Sequence, residues 1–590
     1  MSLDIARNIA VSSLMATQVQ ISVASANIAN AGTAGYTVKT ATQVATTSGG
    51  VGTGTAITAI TGNVDKLLLK SLVAATSDLG SADTSNDYLN QLQALYGSTT
   101  GADSTGTSLA NTLASLESAI SSLSGTTSSS ALQANVVTSL DDVAGQLRDT
   151  SSGVQKLRGD ADSSISSAVD DVNAQLKTIA SLNSEIKLAS ASGQPTGDLA
   201  DQRNSALEDI ASKMNVSYFV SSSGDMQVYT ASGQTLVDST VHPLSFTPAA
   251  AVTAGSVYSP GTTGSLSGIT VNGVDVTSQV GSGDIGALVN LRDSVLPAAQ
   301  TQLDQLANQL ATSLNAVSNT GTALPPPASL TGTTAVTTST PLSATGTVRI
   351  AVADKSGDLV SYGDIDLSTV STVGDLLTAI NGVSGLSASI DSSGHVVIAS
   401  TSSSNGVAVN EMTSAAGSDK VGVADFLGLN DLVTGTGASD IAVRSDILAN
   451  SGKLPVATLS SAATLTTGSS VLSAGSTTVV NALYSALSGS TTFAAAGGLG
   501  SSTGSFTDYA ASIVSDVASK ASAASTTYTS KQTTLATFSS AMSSQSGVNL
   551  DEETSAISTL QNQYTAASQL IQSINQMFTS LMTAVQSTGG

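Results

Sequence analysis

Apolar or small residues fall at Ile557, Leu560, Tyr564, Ala567, Ile571, Ile574, Phe578, Leu581 and Val585, in steps that alternate three and four. That spacing is the heptad seam of a helix that lies along a partner helix. Just before it, Asn549 is placed to cap the helix and Glu552 to complete a capping box. Asp551 and Glu553 add negative charge where the helix dipole is positive. A helix of ~35 residues here would extend roughly 50 Å. A matching stripe stands at the other end of the chain. Ile5, Ile9, Ser12, Ala16, Val19, Val23 and Ala26 step by four and three, widened by Leu14, Ile21 and Ile28. It stops at Asn30-Ala31-Gly32, where Asn and Gly tolerate the left-handed conformation of a C-cap. Two seams at opposite termini predict one coiled hairpin that closes the molecule; the alternative is two unrelated amphipathic helices on a globular core.

Between the seams the period changes repeatedly. Residues 37–60 alternate in part and predict extended chain or a hairpin, with turns at Ser48-Gly49-Gly50 and Gly52-Thr53-Gly54. Helical spacing runs from Val64 to Leu95 and again over 132–186, where Asn183 takes a seam position suited to fixing register. Asp198, Asp201 and Arg203 open a shorter helix ending near Met214, and the expectation for them is capping plus a surface ion pair. Period two follows from Val216 to about Gly283, with a hairpin about Ser223-Gly224-Asp225. Residues 288–317 read as helix, kinked or divided at Pro297, and Pro325-Pro326-Pro327 marks a stiff boundary. From Leu330 to about Gly500 the chain is Ser/Thr/Gly-rich, with β runs at 348–352 and 395–398 and one short helix at 373–381. After Phe506 the chain is helical back to Ser546.

This order predicts a mixed α and β, multidomain fold: long helical coiled-coil termini packed together, a helical rod domain, and two inserted β-rich domains. The expected divisions are 1–36 with 549–590 for the terminal coiled coil, and 37–214, 286–322 and 501–548 for the rod. Residues 215–285 form one β-rich insertion and 323–500 an outer β-rich domain, whose flanking Pro and Gly residues let its ends close over a short linker.

Composition narrows the function. A formal net charge of -23 and a pI near 4.1 argue against nucleic acid, whose binding rests on basic phosphate contacts, and against anionic lipid. No stretch reads as long and apolar enough to span a membrane, and no secretory signal is visible from Met1-Ser2-Leu3-Asp4 onward. Cysteine is absent and aromatics are 3%, so stability has to come from packing of small aliphatic side chains. No active site is legible. His242 and His395 stand far apart, Asp364-Ile365-Asp366 lacks the rest of a calcium loop, and neither a zinc motif nor a P-loop occurs. The expectation is no enzyme, no catalytic residue, no metal and no cofactor.

Two motifs carry a resemblance. Residues 26–37, with Asn27, Asn30, Gly35 and Tyr36, resemble the N-terminal motif of flagellar rod, hook and hook-associated proteins. Residues 546–553, with Gly547, Asn549, Leu550, Asp551, Glu552 and Glu553, and residues 563–568 after them, resemble the C-terminal motif of that group. Residues 198–204, 286–293 and 426–430 resemble, within it, the flagellar hook-associated protein 1 family. Two departures stand out: Val38 follows Tyr36-Thr37 where a basic residue is usual, and 554–556 lacks the usual large apolar residue. The resemblance implies a structural flagellar subunit at the hook–filament junction, exported through the flagellar type III channel without a cleaved signal and ending outside the cell. It implies self-association in a helical or ring layer, with the hook protein, hook-associated protein 3 and a flagellar export chaperone as partners. The assembly and chaperone surface expected is Ile5, Ile9, Val19, Val23, Ile557, Leu560, Tyr564, Ile571, Ile574, Phe578 and Leu581. The alternatives are another flagellar axial protein (hook protein or flagellin-like) and a Ser/Thr-rich acidic surface adhesin.

Overall fold

A computed structural model describes residues 3–97, 108–261 and 264–588. The N-terminal stripe winds into α1 (Leu3–Ala29), and Asn30 closes it by donating both its backbone N–H and its side-chain amide to Ala26 O. β1 (Lys39–Ser48) and β2 (Val51–Gly62) form an antiparallel hairpin that turns on Gly49 and Gly50 at φ +56° and +80°, a conformation that favours glycine. The second expected turn, Gly52-Thr53-Gly54, is instead a bulge within β2, since Thr47 pairs with Gly52 and Thr46 with Gly54.

α2 (Lys66–Leu95) starts at Asp65, whose carboxylate accepts from the N–H groups of Leu67 and Leu68. α3 (Leu109–Gly125) went unread in the sequence, although Leu109, Leu113, Leu116, Ile120 and Leu123 make a fully buried helical stripe. α4 (Ser130–Ala191) has 62 residues and extends about 93 Å. It packs on α3 and on α5 (Gly197–Lys213). β3 (Val216–Val220), β4 (Met226–Thr230) and β5 (Thr235–Val237) form one sheet; β6 (Leu244–Ser245), β7 (Thr270–Val271) and β8 (Val274–Asp275) form another. Asn183 meets no like residue in a helical seam; it accepts from Arg203 of α5. Its amide brackets Met226, donating to the carbonyl at 2.8 Å and accepting from the N–H at 3.0 Å.

α6 (Gly283–Asn290) and α7 (Leu296–Ser318) are separated by a π-type turn over Leu291–Val295, with Pro297 in the first turn of α7. The expected division at the proline is present, because its nitrogen has no hydrogen to donate. Arg292 in that turn is fully buried and pairs with Asp162 of α4 at 2.8 Å.

β9 (Ser329–Ala335), β10 (Thr347–Asp354), β11 (Leu359–Asp366), α8 (Val373–Asn381), β12 (Leu386–Ile390), β13 (His395–Ser400), β14 (Asn405–Asn410) and α9 (Val423–Leu427) gather around a core of their own, with Ile350, Leu376, Ile380, Val396, Val407 and Leu427 at its centre. Its sheets run β11–β10–β14 and β12–β13–β9, all antiparallel. Asp364, set aside as a calcium ligand, pairs with the buried Arg349 at 2.6 Å.

β15 (Val433–Thr434), β16 (Ala442–Val443), α10 (Ser445–Ala449) and α11 (Thr478–Ser488) pack elsewhere. Leu432, Ile441, Leu454 and Leu483 share the core of Leu147, Leu306 and Phe506 in the helical body. Range 323–500 is thus divided, with Leu459, Val471 and Leu472 packed on Ala351, Leu359 and Ala408 in a third, smaller cluster; its Ser/Thr/Gly-rich composition masks the helical spacing of 478–488. The hairpin of β17 (Thr491–Phe493) and β18 (Ser502–Gly504) leads into α12 (Phe506–Ser546), which lies on α2, and α13 (Leu550–Thr588) lies along α1. Among the described residues helix accounts for 54% and sheet for 19%, so the mixed class holds with helix dominant.

One expectation is corrected. By length and composition α1 is long and apolar enough to cross a membrane. Scattered Ala, Ile and Val make it so without an unbroken apolar run. In the structure the helix packs against α13 and the β1–β2 hairpin.

Candidate assembly site

Asn27, in the last turn of α1, is the meeting point of the two termini and is 1% exposed. Its Nδ2 donates to Lys39 O and to Glu553 Oε1, each at 3.0 Å. Its Oδ1 accepts from Lys39 N and from the Tyr36 hydroxyl, each at 3.0 Å. One amide therefore joins α1, the start of β1, the loop between them and the first turn of α13. Using every donor and acceptor is what makes a buried asparagine tolerable.

Beside it the Lys39 ammonium is buried. It contacts the Asp201 carboxylate of α5, donates to Thr37 O at 2.9 Å and lies 4.1 Å from the centroid of the Tyr36 ring. Asp201 also accepts from Thr37 N at 2.9 Å and Thr37 Oγ1 at 2.8 Å. Capping and a surface pair were expected of Asp201 and Arg203, and that expectation is corrected: both are buried. Arg203 donates to Asn183 Oδ1 and Gly224 O. Only Asp198, 3.5 Å from Lys39, keeps an exposed side chain. Gly197 makes the approach possible, because a Cβ there would stand 2.6 Å from Lys39 Cε.

The C-terminal motif closes the node from the other side. Ser546, fully buried at the end of α12, accepts at its carbonyl from Val38 N at 2.8 Å and at its hydroxyl from Asp65 N at 3.4 Å. Gly547 then breaks the helix, and a Cβ on it would lie 2.3 Å from Ser543 O. Asn549 caps α13, accepting from Asp551 N at 3.1 Å and Glu552 N at 3.5 Å. The capping box differs from its expected form. Glu552 accepts from the Asn549 side-chain amide at 3.1 Å, because its carboxylate meets that amide and not the backbone N–H. Burial, then Asp198, Asp201 and Glu553 nearby, push the Tyr36 phenol up to about 12, so it stays a neutral donor to Asn27. A cleft of about 700 Å³ opens between α1, β1 and α13, lined by Val23, Asn27, Lys39, Asp551, Glu553 and Leu560.

Along the seam Ile5, Ile9, Val19, Val23, Ile557, Leu560 and Ile571 are half-buried, and Ile574 is buried. Tyr564, Phe578 and Leu581 remain exposed, as do Gly35, Leu550, Asp551 and Glu552 of the motifs. Lys39 was missed as a member of the site, and Asp201 was read as a surface charge. A signal for Lys39 existed: it is the sole cation between Arg7 and Lys66.

The comparisons fall on these parts. A family model for flagella basal body rod protein matches residues 8–37, and one for the C-terminal part of flagellar basal body rod FlgEFG protein matches 539–584. The model for the flagellar hook-associated protein FlgK helical domain matches 80–331. Flagellar hook-associated protein 1 of Escherichia coli (strain K12) is 24% identical over 598 residues, 98% of either chain. The chain is thus similar to a flagellar hook-associated protein 1 along nearly its whole length. The hook-associated protein 1 of Salmonella typhimurium is 24% identical over 318 residues, 52% of this chain and 55% of that one. The solved flagellar hook junction protein FlgK from Burkholderia pseudomallei matches 80% of this chain and 98% of its own, with 17% identity and a TM-score of 0.49. In hook-associated protein 1 terms, the Asn27 node lies where the two rod-protein matches meet.

Proposed function

We propose that this chain is a structural subunit of the bacterial flagellum that polymerises at the hook–filament junction and joins hook to filament. One observation carries the reading: the terminal motifs, 526 positions apart, close a single node through Asn27 and Glu553 in a chain matched end to end by a hook-associated protein 1.

The polymerising surface in this reading is the terminal hairpin, with Ile5, Ile9, Val19, Val23, Ile557, Leu560, Tyr564, Ile571, Ile574, Phe578 and Leu581. No charged residue occurs from Thr554 to Gly590. Copies that each carry a formal net charge of -23 therefore approach there without local like-charge repulsion. Further copies in a helical or ring layer, the hook protein and hook-associated protein 3 are the partners in the assembled structure. An export chaperone covers the apolar face of α13 beforehand, since such a patch is an aggregation hazard. Export proceeds without a cleaved signal, and no chemistry is assigned to the chain. The division in this reading is 1–36 with 549–590 as terminal domain, 37–214, 286–322 and 501–548 as rod, and 215–285 as the first insertion. Leu432, Leu454 and Leu483 draw their stretches toward the rod, while Leu459, Val471 and Leu472 stay with β10 and β11, so the outer domain takes 323–429 together with about 459–472.

Electron microscopy of purified chain added to hooks that lack their junction protein tests the reading. Capped hook tips that then support filament growth are expected; bare hooks overturn it.

A further inference from the structure

Residues 426–430 take no part in the assembly site. They run between the two cores, and the contacts there are specific. Asn319, just beyond α7 and 1% exposed, aims its Nδ2 at two carboxylates, Asp431 Oδ1 at 2.7 Å and Asp425 Oδ1 at 3.2 Å. Its Oδ1 accepts from Asn430 N at 2.8 Å. The other Asp431 oxygen accepts from the Thr333 hydroxyl of β9, so one carboxylate touches both the helical body and the outer sheet. Asn430 Nδ2 donates to Gly321 O at 3.0 Å, and Ser318 Oγ donates to Asn430 O at 2.5 Å. Gly428 turns at φ +67°, and a Cβ there would lie 2.0 Å from Thr333 Oγ1. Only glycine fits.

We propose that Asn319, Asp425 and Asp431 form a proton-sensitive clasp that sets how firmly the 330–429 unit is held on the helical body. Two acids share one amide donor, and when both are ionised they repel across it. Burial, and then Asp431, push the Asp425 carboxyl up. Burial pushes Asp431 up as well, against Thr333, Asn319 and Arg444. Glu411, which accepts from Val423 N and Ala424 N, is also raised by burial and next to Asp425. Arg444 faces the cluster from the rod side, held by Asp446, which Lys453 also contacts. Acids whose folded pKa is raised favour the closed clasp at low pH, and that contribution is lost as pH rises through the raised values.

The chain has no cysteine, so Ser121→Cys and Ser402→Cys, both at exposed positions, label the full-length protein on either side of the clasp. Single-molecule energy transfer should give one narrow distribution at pH 5 and one at least twofold broader at pH 8. Asp431→Asn and Asp425→Asn, checked for native helix content by circular dichroism, should keep the narrow distribution at both pH values. If Asp431→Asn does not fold, Asp425→Asn decides. A wild-type distribution that ignores pH, or a folded variant that broadens as wild type does, overturns the clasp.

Discussion

Asn27 leaves no hydrogen-bonding atom idle, and its four partners belong to three parts of the chain. Asn27→Ala strands Lys39 N–H and C=O in a buried place and frees Glu553. The expected cost is about 2–4 kcal/mol, given ~1–3 kcal/mol for each buried group left unpaired. It should appear as faster hydrogen exchange in α1 and the first turns of α13, with α4 unchanged; equal protection in all three would count against the node. Glu208 gives a pH prediction of its own. Burial, with Asp209 beside it, pushes its carboxyl up to about 7 from an ordinary 4.5. Its contribution to stability is therefore present below pH 4.5 and lost as pH rises through 7. Glu208→Gln should melt with wild type at pH 4 and above it at pH 8, by up to ~3 kcal/mol at 1.36 kcal/mol per unit. A variant no more stable at pH 8 refutes the assignment. Single residues were the least legible scale. Asn27 and Glu553 were singled out by motif, whereas Asp201 and Arg203 look like surface charges in a local window and are buried by distant segments.

At the scale of elements, periodicity and capping did most of the work. α1, α4, α8, the divided α6–α7 helix and the β1–β2 hairpin stand close to where spacing, proline and glycine put them. Only Ala567 and Ile574 of the heptad stripe of α13 are buried. Beside α1 the stripe is covered from one side only, leaving Ile557, Leu560 and Ile571 half-buried and Tyr564 exposed, and for the last turns the reason is a difference in length. α13 has 39 residues and α1 has 27, and they run antiparallel from the Asn27–Glu553 contact, so α13 overhangs by about 18 Å at 1.5 Å per residue. Phe578, Leu581, Met582 and Val585 lie on that overhang, 41–63% exposed. Two substitutions separate the roles. Ile574→Asp puts an unpaired charge in the buried seam and should destabilise the hairpin by ~3 kcal/mol or more. Leu581→Asp should leave the melting temperature within error yet stop the chain from capping hooks. Thermal melts with hook-tip microscopy check both; normal capping by Leu581→Asp would remove the overhang from the assembly surface.

At the scale of the whole molecule, the two cores decide what can be taken away. A deletion running to Gly497 would remove Leu432, Leu454 and Leu483 from the helical core. Excision of 323–429 spans a much shorter gap, since Asn430 already bonds to Asn319 and Gly321. Joined by a short Gly-Ser linker, the remaining chain should retain its helical circular dichroism and cooperative melt, while Leu459 and Leu472, which pack on β10 and β11, become exposed. Loss of the cooperative melt would show that the outer unit is required for the rod to fold. The sequence by itself determined the helical seams at both ends, the long central helix, the Gly49-Gly50 turn, the Asn549 cap and the absence of disulfides. Each depends on residues within a few turns of one another, where spacing and side-chain type act directly. Only the tertiary structure decided that Lys39 would be buried against Asp201, that Asn319 would hold Asp425 and Asp431, and that Leu432, Leu454 and Leu483 would pack into the rod. Those contacts join residues from about a hundred to several hundred positions apart, and burial and charge pairing over such separations leave no periodic trace in the chain.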